Sequence, residues 1–334
     1  MLGKFEQGVL GLKEATGRTL LTLLIAGLLL AGVACGGGSK DEGDSKMEST
    51  AAMTDEEKEA HRQEVDAWHE ERLERLRQPD GWLTLVGLFW LEEGENTFGS
   101  DEGNDLEFPA PAPPVAGVFR LEDGVVTLVP ADSVAREEGP ITVDGQPAGE
   151  RELASDATGE PTILALDTLR FYVIDREGRM GIRVRDHASP LLASFEGIER
   201  FPVDPAYRFD ARFEPYDPPK PVEIPNALGG TFSDASPGAV VFEYDGETFR
   251  LDATGDPQES LFLVFGDSTN ARETYGGGRF LYTEAPQDGR VVVDFNRAYN
   301  PPCVFTPYAT CPLPPPQNKL KIAIRAGEKT FGKH

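Results

Sequence analysis

From Gly81 to the C-terminus, short apolar runs alternate with Gly, Pro and Asp, and that punctuation leaves little room for helices. The runs are Leu83–Trp90, Val115–Leu121, Val125–Val129, Ile141–Val143, Thr162–Leu166 and Leu169–Ile174. They continue with Val240–Tyr244, Phe249–Leu251, Leu261–Phe265, Phe280–Tyr282, Val291–Phe295 and Leu320–Ile324. The last run alternates, with Leu320, Ile322 and Ile324 on one face and Lys319, Lys321 and Arg325 on the other, which is the period of a half-buried strand. Asp123-Gly124 and Asp144-Gly145 have the composition of tight hairpin turns. Strands at this spacing, with no helices between them, build sandwiches or barrels. The expected fold is all-β: two packed β-sandwich or barrel-like modules, preceded by one N-terminal α-helix. The seam is expected between Arg185 and Tyr216, where Asp186-His187-Ala188-Ser189-Pro190 breaks the pattern and the chain to Pro225 is rich in Pro and Asp. The modules then span 81–185 and 186–331.

The helix is predicted over 54–78. Thr54 and Glu57 have capping-box spacing, and no Gly or Pro intervenes before Pro79. Its few apolar residues, Val65, Trp68, Leu73 and Leu76, predict a mostly solvated helix whose C-terminal half docks on the body. His61 and His69 are expected on its surface.

The N-terminus reads as an export signal. Lys4, Lys13 and Arg18 precede an apolar run, Leu20–Ala34. Its roughly 15 residues suit a signal-peptide core and fall short of the ~20 that a spanning helix needs. The run ends Gly32-Val33-Ala34-Cys35, which resembles a bacterial lipobox with Gly32 where Leu is commoner. That resemblance implies cleavage before Cys35, lipid attached to Cys35, and a cell-envelope location, at the outer membrane if the host has two. Residues 35–53, dominated by Gly, Ser, Lys, Asp and Glu, are expected to form a flexible tether.

The formal net charge of −25 excludes nucleic acid as a partner, because phosphates need a cationic surface. It also argues against electrostatic adhesion to anionic lipid, leaving the lipid on Cys35 as the hold on a membrane. Of three cysteines, Cys35 is assigned, and Cys303 and Cys311 are expected to pair as a disulfide in an oxidising compartment. The competing two-thiolate metal site lacks a nearby His or second cysteine pair, so no metal is expected. No cofactor is expected either: Gly276-Gly277-Gly278 has no following Lys-Ser/Thr and opens no helix, so it is a hairpin or bulge, not a phosphate loop.

Several segments together resemble domain-of-unknown-function family 1684. They are Gly81–Leu91, Gly94-Glu95-Asn96, Asn104-Asp105, Thr274–Tyr282, Asp294–Cys303, Ala309–Pro315 and Ala326–Lys329, together covering about 81–329. The resemblance implies a bacterial envelope protein and no particular activity. Gly94–Phe108 is also similar to the opening of a forkhead-associated (FHA) β-sandwich. Ser100 stands where that family places its phosphate-binding Arg, so phosphopeptide binding does not carry over.

The richest polar constellation is C-terminal: Asp267, Thr269, Tyr275, Arg279, Asp294, Asn296, Arg297, Tyr299 and Asn300. These groups either line a pocket for a polar ligand, with the three glycines before Arg279 letting it approach the backbone, or serve structure through a buried Asp294–Arg279 pair and Asn braces. Nucleophilic catalysis finds little support, since no Gly-x-Ser-x-Gly elbow exists and His187 beside Ser189 is the only candidate pair. Asp267, Asp294 and Glu328 are the carboxylates available for glycoside chemistry. The Pro-rich segment Asn300–Pro316 is expected to be a stiff structural loop. Two functions follow: a non-catalytic binding or scaffold module for an envelope glycan or protein, or a carboxylate-dependent hydrolase of a polar envelope polymer.

Overall fold

The computed structural model describes residues 53–131, 141–227 and 229–332. Cys35, the apolar run before it and the tether lie outside the described residues. Among the described residues, no helix is long and apolar enough to cross a membrane.

Helix α1 (Asp55–Arg77) starts at Thr54, whose side chain accepts from the Glu57 N–H while the Glu57 carboxylate accepts from the Thr54 N–H, a complete capping box. Eleven strands follow. They are β1 (Leu85–Trp90), β2 (Gly94–Gly99), β3 (Leu106–Glu107), β4 (Gly117–Glu122), β5 (Val125–Pro130) and β6 (Ile141–Val143), then β7 (Gln146–Pro147), β8 (Arg151–Leu153), β9 (Leu164–Leu166), β10 (Leu169–Arg176) and β11 (Arg179–Asp186). They form a six-stranded sheet in the order β1-β11-β10-β9-β6-β7 and a five-stranded sheet in the order β3-β2-β4-β5-β8. Asp123 and Asp144 take φ of 51°, and the glycines after them take 80° and 75°, so the two Asp-Gly hairpins are formed as expected. Inward-facing residues of both sheets meet in one apolar core. Phe98 of β2 stacks on Phe119 of β4 at 4.3 Å, and Phe108 meets Phe171 of β10 edge-on at 5.3 Å.

A short helix α2 (Pro190–Ser194), which the sequence reading missed, leads to the remaining strands. These are β12 (Arg208–Pro225), β13 (Thr231–Tyr244), β14 (Glu247–Ala253), β15 (Ser260–Phe265), β16 (Arg279–Glu284) and β17 (Arg290–Asp294). A four-stranded sheet, β14-β13-β12-β17, and the β15–β16 pair enclose a second core around Phe242, Leu263, Phe265 and Phe295. Among the described residues, no strand ladder joins β1–β11 to β12–β17. The two halves meet through a third cluster, in which Leu85 and Trp82 pack with Phe262, Phe280 and Tyr299 and with Trp68 of α1.

Two strand expectations need correction. β12 runs through the Pro-rich stretch that the sequence left irregular. It pairs with β17 only from Arg208 to Arg212, so Pro215, Pro218, Pro219, Pro221 and Pro225 lie where the β17 edge asks for no N–H. Conversely, Leu320–Ile324 is no regular strand. It lies beside Gly266 and Ser268 through two backbone hydrogen bonds, and the next carbonyls, Ile324 and Ala326, accept from the Arg279 guanidinium instead of a neighbouring strand.

Candidate functional site

The polar residues of the C-terminal half form a buried network with one face of α1. His61, Val65, His69, Arg72 and Leu76 recur at helical spacing and are all buried. The expectation that His61 and His69 lie on the surface is therefore wrong: both face the β12–β17 half. The apolar residues of α1 alone are too few to mark this face; with His61, His69 and Arg72 added to Val65 and Leu76, the stripe is continuous along the helix.

Asp294 ends β17 and caps the turn Phe295–Arg297. Its Oδ1 accepts from the Asn296 backbone N–H at 3.0 Å and from Asn296 Nδ2 at 2.8 Å, while Oδ2 sits 2.7 Å from His61 Nε2. Asn296 in turn braces Asp204, exchanging hydrogen bonds of 2.9 Å with its N–H and carbonyl. Arg297 reaches outward to Glu64 of α1 at 3.6 Å.

Glu328 is the second anchor. Its carboxylate accepts from Arg72 Nε at 2.6 Å and from the Asn300 N–H at 2.7 Å, and His69 Nδ1 lies 3.9 Å away. Arg72 also donates to the Asn300 carbonyl at 2.9 Å and lies 4.3 Å over the Tyr299 ring. The preceding residue must be glycine, since Gly327 takes φ of +75° and a Cβ there would lie 2.3 Å from the Ala298 carbonyl. Burial pushes His69 below the ordinary imidazole value, with Glu328 opposing that shift.

Asp267 and Arg279 make the third pair, both side chains at 0% exposure and 2.8 Å apart. The expected Asp294–Arg279 pair does not form; Arg279 takes Asp267 and Asp294 takes His61. Asp267 Oδ1 accepts from the Thr269 N–H at 2.8 Å and the Thr269 hydroxyl at 2.6 Å, which in turn contacts Thr274 Oγ1 at 2.8 Å. Arg279 donates to the carbonyls of Ile324 and Ala326. Its Nη1 also reaches the Glu328 carbonyl at 3.5 Å, which joins this pair to the Glu328 anchor. At Gly278, the last of the three glycines expected to let a ligand approach, the space is taken by the chain: a Cβ there would lie 2.4 Å from Pro314.

Tyr275 stands apart from these pairs, next to the cysteines. The expected disulfide is absent: no S–S bond joins Cys303 and Cys311. The Cys303 N–H donates to Cys311 Sγ at 3.1 Å, and hydrogen bonding by Cys311 and Tyr275 holds the Cys303 thiol below its ordinary value despite burial. Burial and the neighbouring Cys303 push the Tyr275 phenol up.

Apart from Tyr275, the nine candidate residues thus belong to a polar network packed against α1. Asp267, Asp294 and Glu328 have side-chain exposures of 0%, 9% and 1%, and each is held by its own basic side chain, Arg279, His61 and Arg72. A carboxylate so held is unavailable to protonate a leaving group or to attack. Among the described residues, no cluster of three or more His, Cys, Asp or Glu could hold a metal ion.

Residues 193–329 match the model of a family described as "Protein of unknown function (DUF1684)". Thr274–Tyr282, Asp294–Cys303 and Ala309–Pro315 lie inside that match, and Gly81–Leu91 lies outside it. An uncharacterized protein of Haloarcula marismortui, whose structure was determined in solution by NMR, is 32% identical over 42% of this chain and 80% of its own, with a TM-score of 0.36. No curated protein matches the chain.

Proposed function

For a chain that carries, in residues 193–329, a region of the DUF1684 family of unknown function, we propose a non-catalytic binding or scaffold role at a membrane surface of the cell envelope. The lipid on Cys35 is the anchor and residues 35–53 are the tether, with an envelope glycan or protein as the partner. The observation that carries the non-catalytic reading is the pairing of Asp267, Asp294 and Glu328 with Arg279, His61 and Arg72. The hydrolase needs two carboxylates open to one substrate bond, and these three are enclosed. Docking of α1 through Asp294 and Glu328 gives the scaffold a purpose for that enclosure: it fixes the end of the tether to the β body.

The anchor supports the reading through Gly32-Val33-Ala34-Cys35. Stable attachment takes more than one acyl chain, since each buried methylene contributes about 0.8 kcal/mol. Fractionation of cells producing the full chain tests it. Wild type is expected in the membrane pellet with a lipid-shifted mass, and Cys35→Ser in the soluble fraction at an unmodified mass. Equal partition of the two would end the anchoring proposal. Release of soluble fragments from isolated envelope by the purified wild type would end the non-catalytic one.

A further inference from the structure

Four arginines are buried among the described residues: Arg72, Arg183, Arg185 and Arg279. Arg72 and Arg279 have carboxylates at 2.6 and 2.8 Å. Among the described residues, Arg183 and Arg185 have none within ion-pair distance, in a chain whose net charge is −25. A buried guanidinium without a counter-charge is costly, and two side by side add mutual repulsion.

Both arginines come from β11, where strand alternation places them opposite the core-facing Ile182 and Val184. Arg183 and Arg185 are 5% and 7% exposed, and their guanidiniums lie 5.7 and 5.6 Å from the Trp82 ring. Arg185 is partly satisfied, donating to the Gly81 carbonyl at 2.6 Å and to Thr84 Oγ1 at 3.2 Å. Arg183 is not: its Nε and Nη2 are buried with no hydrogen-bond partner. Those two atoms form one edge of the guanidinium, the edge that takes a planar two-oxygen acceptor as a bidentate pair. Tyr172 is paired across the ladder with Arg183. Burial alone would raise its phenol, yet the charges of Arg183 and Arg185 draw it below the ordinary value. Asp80 is the carboxylate whose charge reaches Arg185, and it does so without an ion pair. Tyr172 and Trp82 are half-buried, which keeps the border of this cluster at the surface.

We propose that the Nε/Nη2 edge of Arg183, flanked by Arg185 and Tyr172 on the outer face of β10 and β11, binds an oxyanion group, a carboxylate or a phosphate. The group accepts two parallel hydrogen bonds from Arg183 and supplies the missing counter-charge for both arginines. This inference uses none of the residues on which the preceding reading stands, so either can fail alone.

The test is calorimetric titration of the full chain with inorganic phosphate and, separately, with acetate, against sodium chloride at matched ionic strength. Saturable binding of phosphate or acetate is expected, absent with chloride, and weakened roughly tenfold or more in Arg183→Lys, which keeps the charge and loses the fork. Phosphate binding alone would assign a phosphate-bearing ligand, and acetate binding alone a carboxylate-bearing one. If Arg183→Lys does not fold, Tyr172→Phe replaces it and is expected to weaken the same binding. Heats indistinguishable from chloride would overturn the proposal, and so would a folded Arg183→Lys that binds like wild type.

Discussion

The two halves of the body are held together by different physics. β1–β11 close over an apolar core in which Phe98, Phe108, Phe119 and Phe171 meet ring to ring. β12–β17 also bury an apolar core, but their loops and their helix are fixed by buried polar pairs: the ion pairs of Arg279 on Asp267 and Arg72 on Glu328, and His61 hydrogen-bonded to Asp294. Apolar contact is non-directional and tolerates changes of shape that conserve volume. A buried ionic network tolerates little, because each donor or acceptor left over carries its full desolvation cost. The first half is specified by volume, and the second by the matching of individual atoms. That matching selects one placement of α1, since a helix turned by one residue would put Glu71 or Leu73 in the place of Arg72 and offer Glu328 no cation.

The widest gap between the halves should appear on comparing Arg279→Leu with Phe98→Leu by chemical denaturation. Arg279→Leu strands a buried carboxylate and should lose about 3–5 kcal/mol. Phe98→Leu keeps most of its volume and should lose less than about 1.5 kcal/mol. Adding Asp267→Leu to Arg279→Leu should not restore stability. The Thr269 and Ile324 N–H groups and the Ile324 and Ala326 carbonyls would then lack the partners they have now. Equal losses in the two single variants would erase the distinction.

A smaller effect lies in pH. Burial holds His69 below its ordinary value, so the unfolded chain binds its proton at a higher pH than the folded one does. The stability it contributes is complete above an unfolded value of about 6.5 and is lost as pH falls toward the folded value. The unfolding midpoint should drop between about pH 7.5 and about pH 5.5, and His69→Gln should flatten that slope. Phe98→Leu should leave the slope unchanged; a change there would place the acid sensitivity in the wrong half.

The smallest effect should come from a surface pair of the same chemical kind. Arg290 and Asp210 are 2.7 Å apart at 54% and 42% exposure. Arg290→Gln should cost no more than about 1 kcal/mol, because water screens both charges already. A loss rivalling that of Arg279→Leu would mean that burial is not what gives the inner pairs their weight.

How far the sequence foretold this arrangement depended on whether a signal was local. The capping box of α1 and the Asp-Gly turns are set by neighbouring residues and were legible. Leu320–Ile324 alternates well but has its last carbonyl, that of Ile324, claimed by Arg279, some 45 residues earlier along the chain. The candidate residues of the C-terminal half were found by type, and their partners were not. His61 and Arg72 lie 233 and 256 residues from Asp294 and Glu328, and no spacing in the sequence links them. Arg183 and Arg185 were missed for the opposite reason, since alternating polar residues on a strand read as a solvated face.

The prolines of β12 have a consequence for how copies of this chain would meet one another. A strand edge with open N–H groups invites the edge of another molecule to add to the sheet. Beyond the reach of β17, β12 carries Pro215, Pro218, Pro219, Pro221 and Pro225. Pro221 is held in register with Ala235 of β13 and has no N–H to offer on the far side, while at Pro225 the carbonyl already accepts from the Leu313 N–H at 2.7 Å. Two copies that met along this edge would find no row of N–H donors on which to add a strand.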